Sequence, residues 1–404
     1  MMFAFSLVNY FDRTILSVAA PGMMKEFSLS PTQMGVVFSA FQISYTLLMA
    51  PGGRWADQFG PRNVLTIMGL GAGLLTALMP LGGTPGLGSL IGVVPALVIV
   101  RLGFGAFTAP LYPATGRMNA SSIPAHHRTR IQGLVNSGAG FGGAVSPMLF
   151  SAMIGRFGWR QSFVMAGMAS IAVALVWFFT VRDRPAADAV MAPKWGLLLK
   201  DRNMRWLVVG FAAVCYFEYI FFFWLYYYLG EVRKLSPADT AFYTTIPFVA
   251  WVVMMPLGGW VTDLLAARFG SKAGMRSIAV GSMLCSVVCL MAALNAGDTR
   301  TLVALLSLAF GFCSIADVVY WSAVISISGS QAGAACGLMN TGGNLGGGIA
   351  PILTPIIAGA YGWSAGLYFG GLVALIGLFA WLFIDPSSSC DLHSEPEAAE
   401  RKAG

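Results

Sequence analysis

Twelve predominantly apolar stretches, each bounded by charged or Gly/Pro-rich breaks, follow one another through this 404-residue chain. A helix that crosses a bilayer needs about 20 such residues, so stretches of this length leave little choice but a bundle of spanning helices. They lie near residues 2–23, 33–52, 63–82, 91–115, 132–154, 161–181, 206–229, 239–258, 276–295, 302–326, 332–360 and 363–384. Only 10% of the residues are charged, against about 25% in an ordinary soluble domain, which excludes a soluble enzyme. The count of stretches excludes a protein with a single anchor. The expected fold is an all-α membrane protein with 12 transmembrane helices.

The longest charged interruption before the tail, residues 182–205, is a cytoplasmic linker between six-helix bundles over 1–181 and 206–384. The polar remainder, 385–404, is expected to be disordered. Cytoplasmic loops collect Lys and Arg. With both termini inside, sixteen of the 24 basic residues fall on that side and six on the other, which predicts an ends-in topology. The net charge of +7 is spread between apolar segments rather than gathered in a patch, so no nucleic acid is expected as a partner. Cys215, Cys285, Cys289, Cys313 and Cys336 lie inside apolar runs and Cys390 in the tail, which reads as free thiols. Asp12 and Arg13 interrupt the first stretch in a way that a cleaved signal peptide does not tolerate, so this segment is retained. Met1 stands almost at the first membrane residue, which suggests a truncated start.

An internal repeat orders the helices into halves. Residues 133–159, GLVNSGAGFGGAVSPMLFSAMIGRFGW, align without gaps on 337–363, GLMNTGGNLGGGIAPILTPIIAGAYGW, with eleven identities. Gly53 and Asp57 of GRWADQFGPR correspond in the same way to Gly259 and Asp263 of GWVTDLLAARFG. An even number of spans in each unit makes the halves parallel repeats about an axis along the membrane normal, two pseudo-symmetric bundles.

The segment between helices two and three, Gly53-Arg-Trp-Ala-Asp57-Gln-Phe-Gly60-Pro-Arg62, resembles the G-x-x-x-D-x-x-G-x-R signature of the major facilitator superfamily. The resemblance implies transport by alternating access. It also implies that Asp57 and Arg62, with Asp263 in the degenerate second copy, gate the cytoplasmic side, where a carboxylate can face a helix N-terminus. Asn9-Tyr-Phe-Asp12-Arg13-Thr-Ile-Leu-Ser17-Val-Ala-Ala-Pro21 is similar to the N-Y-x-D-R-x-x-x-S-x-A-x-P segment of the anion:cation symporter branch, which includes bacterial sugar-acid and organic-acid proton symporters. Tyr45, the Arg101 that opens RLGFG, Gly158-Trp159-Arg160, Trp224-Leu225, Tyr228-Leu229, Asn340 and Asn344 carry the resemblance through the remaining helices.

A charge at the centre of a spanning helix costs about 2.5–3.5 kcal/mol on insertion scales, so the five at that depth mark function. They are Asp12, Arg13, Arg101, Glu218 and Asp317. An arginine offers a planar fork of donors to a carboxylate, so Arg13 and Arg101 should draw an organic anion between the halves. For Arg101 a structural contact between helices is the competing reading. Asp12 follows a different face of its helix from Arg13, about 100 degrees away, and does not pair with it. Tyr45, Trp321, Asn340 and Asn344 are expected to line the cavity. The resemblance implies proton coupling through Asp12 and through an acid in helix four, but Thr108 stands at that place, and a hydroxyl carries no proton at physiological pH. Glu218, which lies 206 residues after Asp12, and Asp317 are the candidate replacements. Helix five has Ser137-Gly138-Ala139 where the resemblance implies an amide facing substrate hydroxyls, which turns the expectation toward a compact or aromatic carboxylate.

The resulting expectation is a monomeric importer of an organic carboxylate with protons, in the bacterial inner membrane, with no cofactor and no metal. An exchanger or exporter of organic anions is the alternative, and a non-transporting sensor with a transporter fold is a second. GAGFGG at 138–143 lacks a surrounding strand and reads as helix packing, no phosphate-binding loop is present, and His126 and His127 lack metal-ligand spacing. No nucleophile, base and orienter are grouped, so an enzyme is not expected.

Overall fold

The computed structural model describes residues 1–83, 85–122, 125–181, 195–328 and 332–387, and within them not the side chains of 57, 120–122, 125–130, 132, 133, 136 and 195. The described residues form helices and turns only. The first half comprises α1 (Met2–Phe27), α2 (Pro31–Phe59), α3 (Pro61–Ala77) and α4 (Val93–Thr108), the last extended after a two-residue turn by Leu111–Ser122. The helical run Ala125–Thr180 then breaks at Gly158 into α5, 125–157, and α6, 159–180. The second half comprises α7 (Arg202–Tyr227), α8 (Pro237–Phe269), α9 (Ser271–Leu294), α10 (Thr299–Ser328), α11 (Ala332–Tyr361) and α12 (Trp363–Ala380).

Among the described residues, nine helical segments are long and apolar enough to cross a membrane. One of these, 137–180, contains two crossings, because Gly158 at φ 76 reverses the chain in a conformation that a side chain would strain. Gly362 at φ 89 makes the same turn between α11 and α12, 204 positions on. The other two crossings are α3, only 17 residues long, and α1, whose Asn9, Asp12 and Arg13 depress its apolar character. Both fall short by composition or length and hold their place by packing.

Each half is built alike. In the first, α1 packs on α5 and α6; in the second, α7 packs on α11 and α12. Close approach is secured by small residues, since a side chain at Gly142 would meet the Leu7 backbone oxygen at 2.2 Å and one at Gly346 the Ala212 oxygen at 2.1 Å. The halves meet through α2 against α11 and α5 against α8, pairs exchanged by the repeat.

Two faces follow from this order. The basic face carries the α2–α3, α4–α5 and α8–α9 turns, and the opposite face carries the α1–α2, α5–α6 and α11–α12 turns. Toward the opposite face the halves are closed on each other. Gly35 lies against the Pro351 carbonyl, Ser39 Oγ donates to Gly348 O at 2.7 Å, Phe38 stacks on Phe223 at 4.9 Å, and Ser151 meets Tyr226 OH at 3.3 Å. Toward the basic face, among the described residues, Asn340 Nδ2 meets Met49 Sδ of the other half at 3.4 Å.

Three sequence expectations need correction. Arg54, Asp57 and Asp263 stand in the last turns of α2 and α8 rather than in loops, because both helices run past their apolar stretches into water, leaving Gly60 and Gly270 as the turns. Helix seven begins at Arg202, capped by Asp201 Oδ1 accepting from Met204 N at 2.8 Å, after a short helix Trp195–Lys200, so the linker is partly helical. The start of the tail packs rather than straying: Asp385 pairs with Lys272 on α9 and Asp385 N donates to Asn203 Oδ1 at 2.9 Å. Linker residues 182–194, His126 and His127 as side chains, and tail residues 388–404 with Cys390 lie outside the described residues. The other five cysteines are unpaired.

Candidate functional site

At mid-depth, where α1, α2, α7 and α11 converge, Arg13 is 3% exposed, and none of the ion pairs among the described residues involves it. Its guanidinium lies among the rings of Tyr219 (4.7 Å), Phe41 (4.9 Å), Tyr10 (5.2 Å) and Phe222 (5.8 Å), two from each half. Cation–π attraction of this kind holds a charge without neutralising it. The polar partner is Gln42 on α2, whose Oε1 accepts from Arg13 Nη2 at 3.0 Å. Arg13 Nε is left without a partner.

Gln42 is fully buried and links the halves. Its Nε2 donates to Asn344 Oδ1 on α11 and, at 3.4 Å, to Tyr219 OH on α7. Tyr219 OH donates to the same Asn344 oxygen at 3.1 Å, and Asn344 Nδ2 returns to Asn340 O at 2.8 Å and Oδ1 at 3.2 Å. Arg13, Asn340 and Asn344 are thus brought together, through a glutamine that the sequence reading passed over. The available signal was weak: one neutral amide in the run GVVFSAFQISYTLLMA.

Asp12 turns away from Arg13 into the first half, where Ser170 Oγ on α6 donates to its Oδ2 at 2.6 Å and its Oδ1 has no partner. Arg101 on α4 is buried over Phe41 (5.0 Å) and Phe104 (5.1 Å), with Nε and Nη2 unpartnered. Since both guanidinium carbons lie about 5 Å from the Phe41 ring centre, Arg13 and Arg101 flank one ring. Tyr45 packs on Phe41 at 5.5 Å and lies outside the amide network.

The second half carries its own acidic group. Glu218 Oε1 on α7 accepts from Trp251 Nε1 on α8 at 2.6 Å, and Asp317 on α10 lies within electrostatic reach of it. Trp321 sits one turn beyond Asp317, edge-on to Phe211 at 5.7 Å, apart from the Arg13 cluster.

Of the gating candidates, the Asp57 side chain lies outside the described residues. Arg62 Nη2 donates to Phe178 O at 2.5 Å and its guanidinium covers the Phe178 ring at 4.4 Å, so these contacts stay in the first half, tying α3 to the end of α6. Asp263 is exposed at the basic face. Among the described residues no group of three His, Cys, Asp or Glu side chains could hold a metal ion.

The family model of the Major Facilitator Superfamily matches residues 2–269 and 262–401. The chain is 30% identical to a probable sulfoacetate transporter of Cupriavidus necator, over 98% of this chain and 95% of the relative. It is 30% identical to a D-galactonate transporter of Escherichia coli (95% and 94% covered) and 28% identical to a hexuronate transporter of Bacillus subtilis (95% and 93%). Among solved structures it is similar in fold to a bacterial homologue of the lysosomal transporter Spinster in an inward-facing, occupied conformation, with TM-score 0.80, 18% identity and 94% of each chain covered. It is similar also to the inward-open xylose transporter of E. coli, with TM-score 0.73, 16% identity and 95% of each chain covered.

Proposed function

The chain belongs to the Major Facilitator Superfamily, and from that premise we propose that it imports a small organic acid anion with protons across a bacterial inner membrane by alternating access. It is a multi-pass membrane transporter and not an enzyme. The observation that carries the proposal is Arg13: a buried cation between the halves that pairs with no carboxylate among the described residues and donates from Nη2 to the neutral amide of Gln42. A carboxylate or sulfonate arriving there pairs with the charge as well as hydrogen-bonding to it, which no carboxylate among the described residues does. Relatives that carry sulfoacetate, galactonate and hexuronate support an anionic substrate.

In this reading the bundles 1–181 and 206–384 rock about the site as a monomer. The basic face is taken as cytoplasmic, which the sixteen-to-six distribution of Lys and Arg supports, and the closure at Gly35, Ser39 and Tyr226 then lies on the outer side. Arg101, Tyr45 and Trp321 line the route. Asp12 and the Glu218–Asp317 group take up and release protons, and Asp57, Arg62 and Asp263 latch the cytoplasmic side when the halves rock the other way.

Uptake into proteoliposomes with an inward proton gradient tests the proposal. Arg13→Lys keeps the charge but loses the planar fork, and accumulation of carboxylates should fall at least tenfold. Uptake that survives Arg13→Ala removes the anion assignment. One observation favours an exchanger instead. Thr108 donates to Phe104 O at 2.8 Å, within its own helix, so α4 offers no relay beside Asp12. Counterflow without uphill accumulation is the signature of that second reading.

A further inference from the structure

We infer that Gln42 is a built-in stand-in for the carboxylate of the substrate. The inference rests on Arg13 as the carboxylate ligand. The Gln42 amide oxygen holds the Arg13 Nη2 donor that an anion would take, while its amide nitrogen reaches across to Asn344 and Tyr219. One side chain therefore occupies one prong of the arginine and fastens the halves together, and Arg13 Nε stays without a partner.

The chemistry explains why an amide suits this place. Every donor of a buried guanidinium left without an acceptor costs free energy, and Gln42 removes that cost at Nη2. A glutamate there would satisfy it permanently and shut out the substrate. A neutral amide satisfies it weakly enough to be displaced by a carboxylate, which adds ion pairing and a bidentate fit, yet well enough to turn away neutral solutes, whose bond to the arginine would be no stronger than the one it replaces. The arrangement thus sets a threshold that only an anion passes.

The same displacement reaches the opposite face. Gln42 lies three residues from Ser39 on α2, and Asn344 four residues from Gly348 on α11, so the amide link is the next rung of the ladder whose outer rung is Ser39 Oγ to Gly348 O. When substrate takes Arg13, the Gln42 amide loses the anchor that orients it, and the inner rung loosens. The empty carrier is held shut at this face more firmly than the loaded one.

Thermal-shift titration of the purified full-length protein with sulfoacetate, D-galactonate and benzoate, joined to spin-label distances between positions 25 and 360 at the opposite face, tests the inference. Gln42→Ala is expected to bind the carboxylate that shifts the wild type about two- to tenfold more tightly, the weight of one net hydrogen bond, and to widen the opposite face of the unloaded protein. Gln42→Glu is expected to lose at least tenfold in affinity while that face stays closed. A structural role alone would weaken binding in both variants, so a Gln42→Ala protein that binds no more tightly than wild type overturns the inference, as does a Gln42→Glu protein that binds normally. Arg13→Ala separates the two layers: if it abolishes binding while Gln42→Ala binds no tighter, the stand-in alone fails, and if it binds carboxylates unchanged, the carboxylate assignment fails beneath it. A wild type that answers none of the three probes, with an unchanged distance in Gln42→Ala, overturns both.

Discussion

Replacing Gly35 by Ala probes the closure of the opposite face at its tightest point. A Cβ on Gly35 would stand 2.1 Å from Pro351 O, 2.9 Å from Pro351 C and 3.3 Å from Ile352 Cα, all of them backbone atoms of the other half. Nonbonded atoms settle near about 3.5 Å, so α2 and α11 must part by about 1 Å or more. Overpacking of this kind costs about 1–3 kcal/mol. The cost falls only on the conformation in which the two helices touch here, because rocking the halves apart at this face removes the contact. The Ala-over-Gly gain in helix propensity is present in both conformations and cancels. The equilibrium should therefore shift toward the conformation open at this face by about five- to 150-fold. Pulsed electron paramagnetic resonance between labels at Lys25 and Ala360, in a background freed of the six cysteines, reads the shift as growth of a longer distance. Gly348→Ala is the matched control. Its Cβ would meet only Gln42 Cγ at 3.4 Å and Cβ at 3.6 Å, ordinary contacts in the same interface. Equal distance distributions in wild type and Gly35→Ala, or equal shifts in both variants, would refute the argument that backbone approach at Gly35 holds the face shut.

Two further outcomes follow. Glu218→Gln keeps an acceptor for Trp251 Nε1, so folding is retained while the proton is not; uphill accumulation driven by a pH gradient should be lost and counterflow kept, and undiminished accumulation would dispose of the coupling role. Beyond the end of α12, hydrogen bonds from Lys272 and Ser387 hold Asp385 at about 2, below its ordinary 3.8. A depressed carboxyl stabilises the fold above its unfolded value, and this contribution is lost as pH falls through the folded value. The pair is partly exposed and its contribution small, so the Tm advantage of wild type over Lys272→Ala seen at pH 5 should shrink toward zero near pH 2; an advantage that grows on acidification would contradict the assignment.

The sequence made the architecture legible because lipid imposes it: apolar stretches of similar length and a repeat at an offset of 204 to 206 positions have one physical solution. Charges at depth were legible for the same reason, and Arg13 was singled out by its insertion cost. Gln42 was not, since a lone amide costs little in a helix and its value comes from two partners, 29 positions before it and 302 after it, that only folding brings near. Helix ends were misjudged where α2 and α8 leave the membrane: the charges of GRWADQF and TDLLAARF end the apolar run, but a helix entering water continues until Gly60 or Gly270 turns it. The separation of Tyr45 and Trp321 from the amide network was likewise invisible, because an aromatic ring reads the same whether it packs inward or faces a cavity.

The polarity of α1 bears on how the protein is made. Its eight Phe, Leu, Ile and Val residues before Pro21 contribute about 2.4–4.8 kcal/mol toward insertion, whereas Asp12 and Arg13 oppose it by about 5–7 kcal/mol. A newly synthesised α1 is thus not retained by lipid on its own. Gln42 arrives 29 residues after Arg13 and Ser170 only 158 residues after Asp12, so α1 settles late, when α6 supplies a partner for Asp12. The two charges at depth are the ones that delay the helix bearing them, and integration of the first half becomes a concerted event among six helices rather than a succession of independent ones.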